Sequence, residues 1–138
     1  VFFKEKTMGS CVIMGKRNYL SIPNKFRPLK GRINIIVTTT KSFTAPNCLI
    51  AHNLEYAIEL AKQKNKNIFI IGGGMLYEYA LMKNLVDIIY LTRIHAEISG
   101  DVFFPKLNMK NWIEKSHIFH PKDKKHKYDF TFLKFERS

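Results

Sequence analysis

Acidic residues are scarce where basic ones are dense: residues 1–50 hold Glu5 alone against nine Lys and Arg. Residues 51–100 carry five of each sign, and residues 101–138 carry nine basic against five acidic side chains. The net charge of +12 and the pI of about 9.8 therefore come from the two ends of the chain. Such a field attracts phosphates, whether on a small cofactor or on nucleic acid. It is equally what a Lys-rich solvated surface produces, and "AKQKNKN" and "PKDKKHK" look like polar loops rather than a shaped groove. Charge alone does not choose between these.

Cysteine is nearly absent. Cys11 and Cys48 lie far apart with no metal-ligand spacing, so they read as reduced, part-buried thiols in a reducing compartment. The five histidines, His52, His95, His117, His120 and His126, form no HExxH or comparable pattern, and no metal is expected. No apolar run approaches the roughly 18 to 20 residues of a membrane helix, and no signal-peptide pattern opens the chain. The expectation is an intracellular protein, cytoplasmic or mitochondrial, with no membrane partner. Internal repeats and interior linkers are also missing. The 138 residues, 46% of them apolar and eleven of them Phe, suit a single domain over 1–138.

What is present is an alternation of short apolar runs and helical patterns. "CVIMG" (11–15), "INIIVTT" (33–39), "NIFIIGG" (67–73) and "DIIYLTRI" (87–94) are rich in Val and Ile and too short for helices. They read as strands buried on both faces, which implies a parallel sheet. Between the second and third, Asn53 is placed as an N-cap and Leu54, Ala57, Ile58 and Ala61 form one apolar stripe. Between the third and fourth, Met75, Leu76, Tyr79, Leu81 and Met82 suggest a shorter helix. These are βαβ units. At the end, "WIEKSHIF", a turn-like stretch and the alternating "YDFTFLKFE" read as a hairpin that closes the sheet antiparallel. The fold class is α/β.

Three glycines, Gly72, Gly73 and Gly74, stand where the third strand stops and a helix begins. Bare backbone N–H groups at a helix N-terminus let a pyrophosphate lie against the chain. The pattern is not GxGxxG, and a tight strand-to-helix turn would use the same glycines without a ligand.

The stretches "CVIMGKRNYLSIPNKFRPLKGRINIIVTT" (11–39), "IFIIGGGMLYEYAL" (68–81), "IIYLTRIHAEISGDVFFP" (88–105) and "YDFTFLKFE" (128–136) resemble dihydrofolate reductase in order and spacing. "SIPNKFRPLKGRIN" is the most specific of them, and the resemblance covers almost the whole chain. It implies reduction of 7,8-dihydrofolate to tetrahydrofolate with NADPH, in a mostly parallel sheet flanked by helices with an antiparallel last strand.

The resemblance also distributes roles. It implies a cis peptide bond at Gly72-Gly73, with Gly72, Gly73, Gly74, Met75 and Leu76 along the cofactor. Gly15, Lys16, Arg17 and Asn18 match the turn that meets the cofactor phosphates. Thr38 and Thr39 fall at the adenosine 2′-phosphate, where Lys41 could add charge. Arg32 matches the Arg that clamps the substrate's α-carboxylate. Phe3, Ile22 and Leu29 match the walls around pterin and aminobenzoyl, and Ile71 and Tyr77 a wall shared with nicotinamide; core packing alone would also bury such residues. Thr92 matches the Thr that steadies the catalytic carboxylate, and Asp101 a contact to a mobile loop.

Departures accompany the matches. Asn18 stands where the family usually has Thr, and Tyr19 where it usually has Trp. The family's catalytic Asp or Glu corresponds to a position two residues before Val1, and its first strand and nicotinamide-covering loop precede it too. Glu5 is no substitute, since six residues along a helix is about 9 Å. The expectation is that this chain contains no catalytic residue and does not turn over by itself. Two readings are open: a partly represented reductase, or a non-catalytic reductase-like subunit of a basic assembly such as a mitochondrial ribosome, held to RNA or acidic proteins. A fusion to thymidylate synthase leaves no trace in these residues.

Overall fold

In the computed structural model, which describes residues 2–64, 66–94, 110–121 and 130–137, the chain forms two compact units, Val1–Tyr79 and Ala80–Ser138. The first unit is built on the Val/Ile-rich runs. β1 (Cys11–Gly15), β2 (Ile33–Val37), β3 (Leu49–Ala51) and β4 (Ile68–Gly72) pair in parallel in the order β3-β2-β1-β4. Cys11, Val12, Ile13 and Met14 of β1 are fully buried, as are Ile35 and Ile36 of β2. This is the two-sided burial expected of inner parallel strands. β3 is a three-residue strand not among those expected, because so short a run carries no periodicity.

The helices of this unit are α1 (Phe2–Thr7), α2 (Lys16–Ser21), α3 (Leu54–Gln63) and residues 74–79 of α4 (Gly74–Met82), whose last three residues belong to the second unit. Asn53 caps α3 as expected, its side-chain oxygen accepting from the Tyr56 N–H at 2.7 Å. Leu54, Ala57 and Ala61 form the buried face. α4 differs from the expected stripe: Met75 and Met82 are 88% and 66% exposed, and Ala80 is the buried position. Residues 75 and 82 are seven apart and so share a face. α4 is largely apolar, with Glu78 its one charged residue, so periodicity gives only a weak indication of which face turns inward.

The pairing of β1 with β4 is irregular at one point. Ile13 pairs with Ile70, but Met14 pairs with Gly72, so Ile71 is an extra residue in β4. The bulge sits one residue before the glycines, where it re-aims the end of the strand.

The second unit contains β5 (Ile88–Ile94), β6 (Trp112–His120) and β7 (Phe130–Arg137), antiparallel in the order β5-β7-β6. β6 and β7 pair antiparallel as expected of the closing hairpin, but with β5 in a sheet of their own rather than at the edge of the parallel sheet, and the expected turn at 122–127 lies outside the described residues. β5, expected in the parallel sheet, is instead paired antiparallel with β7. It is also sided: Ile89 is buried while Ile88 is 42% exposed, an alternation hidden in a sequence where both are Ile. Ile89, Trp112, Leu133 and Phe135 make its core. Arg137 closes it, with its guanidinium 4.8 Å from the Trp112 ring centre and donating to Asn84 Oδ1 at 3.2 Å. Among the described residues no helix is long and apolar enough to cross a membrane.

Candidate functional site

Parallel strands bring their C-terminal ends to one edge. Chain direction across the sheet reverses beside β1, because β2 and β3 succeed it on one side and β4 lies on the other. Ligands of open α/β sheets bind in such a crevice. Here it is formed by Gly15 at the end of β1 and Gly72-Gly73-Gly74 at the end of β4.

The two glycine ends touch. A Cβ placed on Gly15 would lie 3.8 Å from both the Gly73 backbone nitrogen and Leu76 Cδ1. A Cβ on Gly72 would come within 3.0 Å of Asn18 Oδ1, and Gly72 has φ +142°. Gly73 is the opposite case, because a Cβ there would meet nothing within 4 Å. The Gly72-Gly73 peptide bond is cis, as the resemblance implied. The first backbone bond of α4 is donated by the Tyr77 N–H to the Gly73 carbonyl at 3.1 Å. The N–H groups of Gly74, Met75 and Leu76 precede it at the positive end of the helix. Bare backbone, open space at Gly73 and helix N–H donors fit an anionic cofactor laid across this corner.

The other expected cofactor groups flank that edge with different exposures. Arg17 is exposed, whereas half-buried Lys16 holds its Nζ 5.1 Å from the Phe43 ring centre. Thr38 is buried; its hydroxyl accepts from the Thr40 N–H at 3.1 Å, and its carbonyl lies 2.8 Å from His52 Nδ1. Thr38 thus shapes the turn after β2, while Thr39 and Lys41 face solvent. Met75 is too exposed to line anything within the protein. Tyr77 is half-buried, and burial pushes its pKa up.

The expected substrate side lies where α1 ends against the loop before β2. Arg32 donates from Nη1 to Thr7 Oγ1 at 3.2 Å and from Nε to the Lys30 carbonyl at 3.1 Å. Burial holds its pKa below the ordinary guanidinium value. The Gly9 N–H donates to the Gly31 carbonyl at 2.8 Å, tying the two segments together. Ile22, Leu29 and Ile71 are half-buried against the cluster of Val12, Met14, Tyr19 and Ile36. They therefore serve the core whatever else they touch. Phe3 lies on α1. Thr92 lies on β5 in the second unit, opposite Phe132. Asp101 lies outside the described residues.

Two residues that hold this arrangement were not among the sequence candidates. Thr7 is 1% exposed and receives Arg32. Asn34 is 2% exposed and bonds to the loop carrying Leu29 and Arg32. A signal for it exists: an Asn inside "INIIV", a strand buried on both faces, must find partners. A cleft of about 600 Å³ lined by Met8, Ser10, Lys62, Lys66 and Asn67 opens at the N-terminal ends of β1 and β4, away from the glycine corner. None of the expected site residues lines it. Among the described residues no group of His, Cys, Asp and Glu could hold a metal.

The dihydrofolate reductase family model matches residues 1–137. The dihydrofolate reductase of Staphylococcus haemolyticus is 38% identical over 99% of this chain and 78% of its own length. The type 3 dihydrofolate reductase of Salmonella typhimurium is 37% identical over 98% of this chain and 80% of its own. Among solved structures, dihydrofolate reductase from Enterococcus faecalis complexed with NADP(H) and RAB-propyl superposes with a TM-score of 0.89 at 26% identity. That match covers 99% of this chain and 79% of the other. With the glycine corner, the family match and these relatives in agreement, the chain belongs to the dihydrofolate reductase family.

Proposed function

We propose that this chain binds NADPH across the Gly15 and Gly72–Gly74 corner and dihydrofolate beside Arg32, as the binding body of an NADPH-dependent dihydrofolate reductase. The observation that carries the cofactor half is the open space at Gly73, beside the touching ends of β1 and β4. NADPH, when bound, supplies the hydride. Gly74, Met75 and Leu76 offer backbone N–H groups to its phosphates, Arg17 and Lys16 add positive charge, and Thr39 and Lys41 meet the 2′-phosphate.

On the substrate side, Arg32 presents a planar pair of donors suited to a carboxylate. Thr7 and the Lys30 carbonyl restrict the directions that fork can take. Ile22 and Leu29 offer apolar surface to flat rings while packing on the core. Thr92 and Asp101 keep the supporting roles that the resemblance implies, and the family match over residues 1–137 supports a single reductase-type body.

The alternative of a non-catalytic subunit bound to RNA draws no support from relatives that are named as reductases. The test is equilibrium binding of NADPH and of folate to the chain, followed by oxidation of NADPH with dihydrofolate. Binding of both ligands is the expected result; failure to bind NADPH would overturn the reading.

A further inference from the structure

The carboxamide of Asn34 is buried near the site and makes three hydrogen bonds. Its Oδ1 accepts from the Leu29 N–H at 2.9 Å, and its Nδ2 donates to the Leu29 carbonyl at 2.9 Å and the Arg32 carbonyl at 3.0 Å. Both backbone groups of Leu29 are therefore satisfied by one side chain. A flipped amide would set its NH2 against an N–H and its oxygen against two carbonyls, so the orientation is unique. Asn34 sits on β2 between Ile33 and Ile35, in register with Val12 of β1. It is anchored in an inner strand whose three central residues are buried, and the segment it grips is a loop.

That loop runs from Leu29 through Gly31, at φ +75°, to Arg32. Nothing in the sequence of a Lys-Gly turn fixes its orientation, since glycine samples both signs of φ. Three hydrogen bonds from a sheet residue do fix it.

We infer that Asn34 is a positioning residue for substrate: by clasping the 29–32 loop it sets the direction of the Arg32 guanidinium, and so governs affinity for the substrate's carboxylate without touching it. This rests on the proposed role of Arg32 in holding that carboxylate. A side chain aimed from a loop loses binding free energy to loop entropy unless its backbone is held.

The experiment compares folate with pteroate, which has the same rings but lacks the glutamate and its α-carboxylate. For Asn34→Ala, folate affinity should fall about tenfold, pteroate affinity by distinctly less because only the ring contact at Leu29 is loosened, and NADPH affinity by less than about twofold. In an Arg32→Leu background the same substitution should cost folate no more than it costs pteroate, because the group it positions is gone. Should Asn34→Ala not fold, the same comparison is made with Asn34→Ser, whose hydroxyl keeps a single bond. Equal losses for folate and pteroate, or a full additional loss on top of Arg32→Leu, would overturn the inference and leave Asn34 a general stabiliser. A wild-type chain that binds folate and pteroate equally would instead remove the role of Arg32, and with it that of Asn34.

Discussion

Asn18 stands against Gly72 so closely that its Oδ1 would be 3.0 Å from any Cβ placed there. The contact joins the first turn of α2 to the end of β4, and both flank the corner proposed for the cofactor. Gly72 also has φ +142°, a conformation that side-chain-bearing residues rarely adopt. Gly72→Ala should therefore destabilise the protein by about 1–3 kcal/mol. Urea unfolding of the two proteins measures it, and an unchanged midpoint would contradict the contact.

Gly73 should behave in the opposite way. A methyl group there meets no protein atom within 4 Å, so Gly73→Ala should leave stability nearly as it was. It should nevertheless weaken NADPH by tenfold or more, on the order of 1.4 kcal/mol, because the methyl occupies the surface the cofactor needs. Fluorescence titration with NADPH reads this directly. A variant binding NADPH as well as wild type would show that the open space faces something other than the cofactor.

Arg32→Lys keeps the charge and loses the planar fork. Charge-assisted paired bonds are worth about 1.5–3 kcal/mol each, so folate affinity should drop roughly 10- to 100-fold with NADPH affinity unaltered. Calorimetry with each ligand separates the two. Equal affinity for folate in Arg32→Lys would mean that a point charge suffices.

Alkaline pH should unfold this protein more readily than neutral pH. Burial raises the pKa of the Cys11 thiol above its ordinary 9.0, with Lys66 and Lys64 opposing the shift. Cys48, Tyr19 and Tyr77 are shifted the same way, each chiefly by burial. For an acid whose folded pKa is raised, the unfolded chain releases its proton first as pH rises. The associated stability is thus whole below the unfolded pKa and is lost as pH climbs through the folded one, by at most about 1.4 kcal/mol per pH unit per group. Denaturation at pH 8 and pH 10.5 should show the fall, and Cys11→Ala should make it shallower. In the native state a thiol reagent should modify half-buried Cys48 well before Cys11, which is fully buried.

The residues alone determined the elements whose signals are local. Four β-branched runs, the Asn53 cap, the stripe Leu54–Ala57–Ala61 and the glycines at the end of β4 each depend on neighbours within one or two turns, and periodicity reports such neighbours directly. The match of "SIPNKFRPLKGRIN" drew attention to Arg32, and that of "GKRN" to the turn proposed to meet the cofactor. Only the tertiary structure decided which face of a largely apolar α4 is buried, that β5 pairs antiparallel with β7, that Ile71 bulges, and that Asn34 holds the loop of Arg32. Each of these depends on atoms brought together from distant parts of the chain or across a sheet. A one-dimensional pattern records that a residue is apolar or polar, and packing chooses the partner it meets.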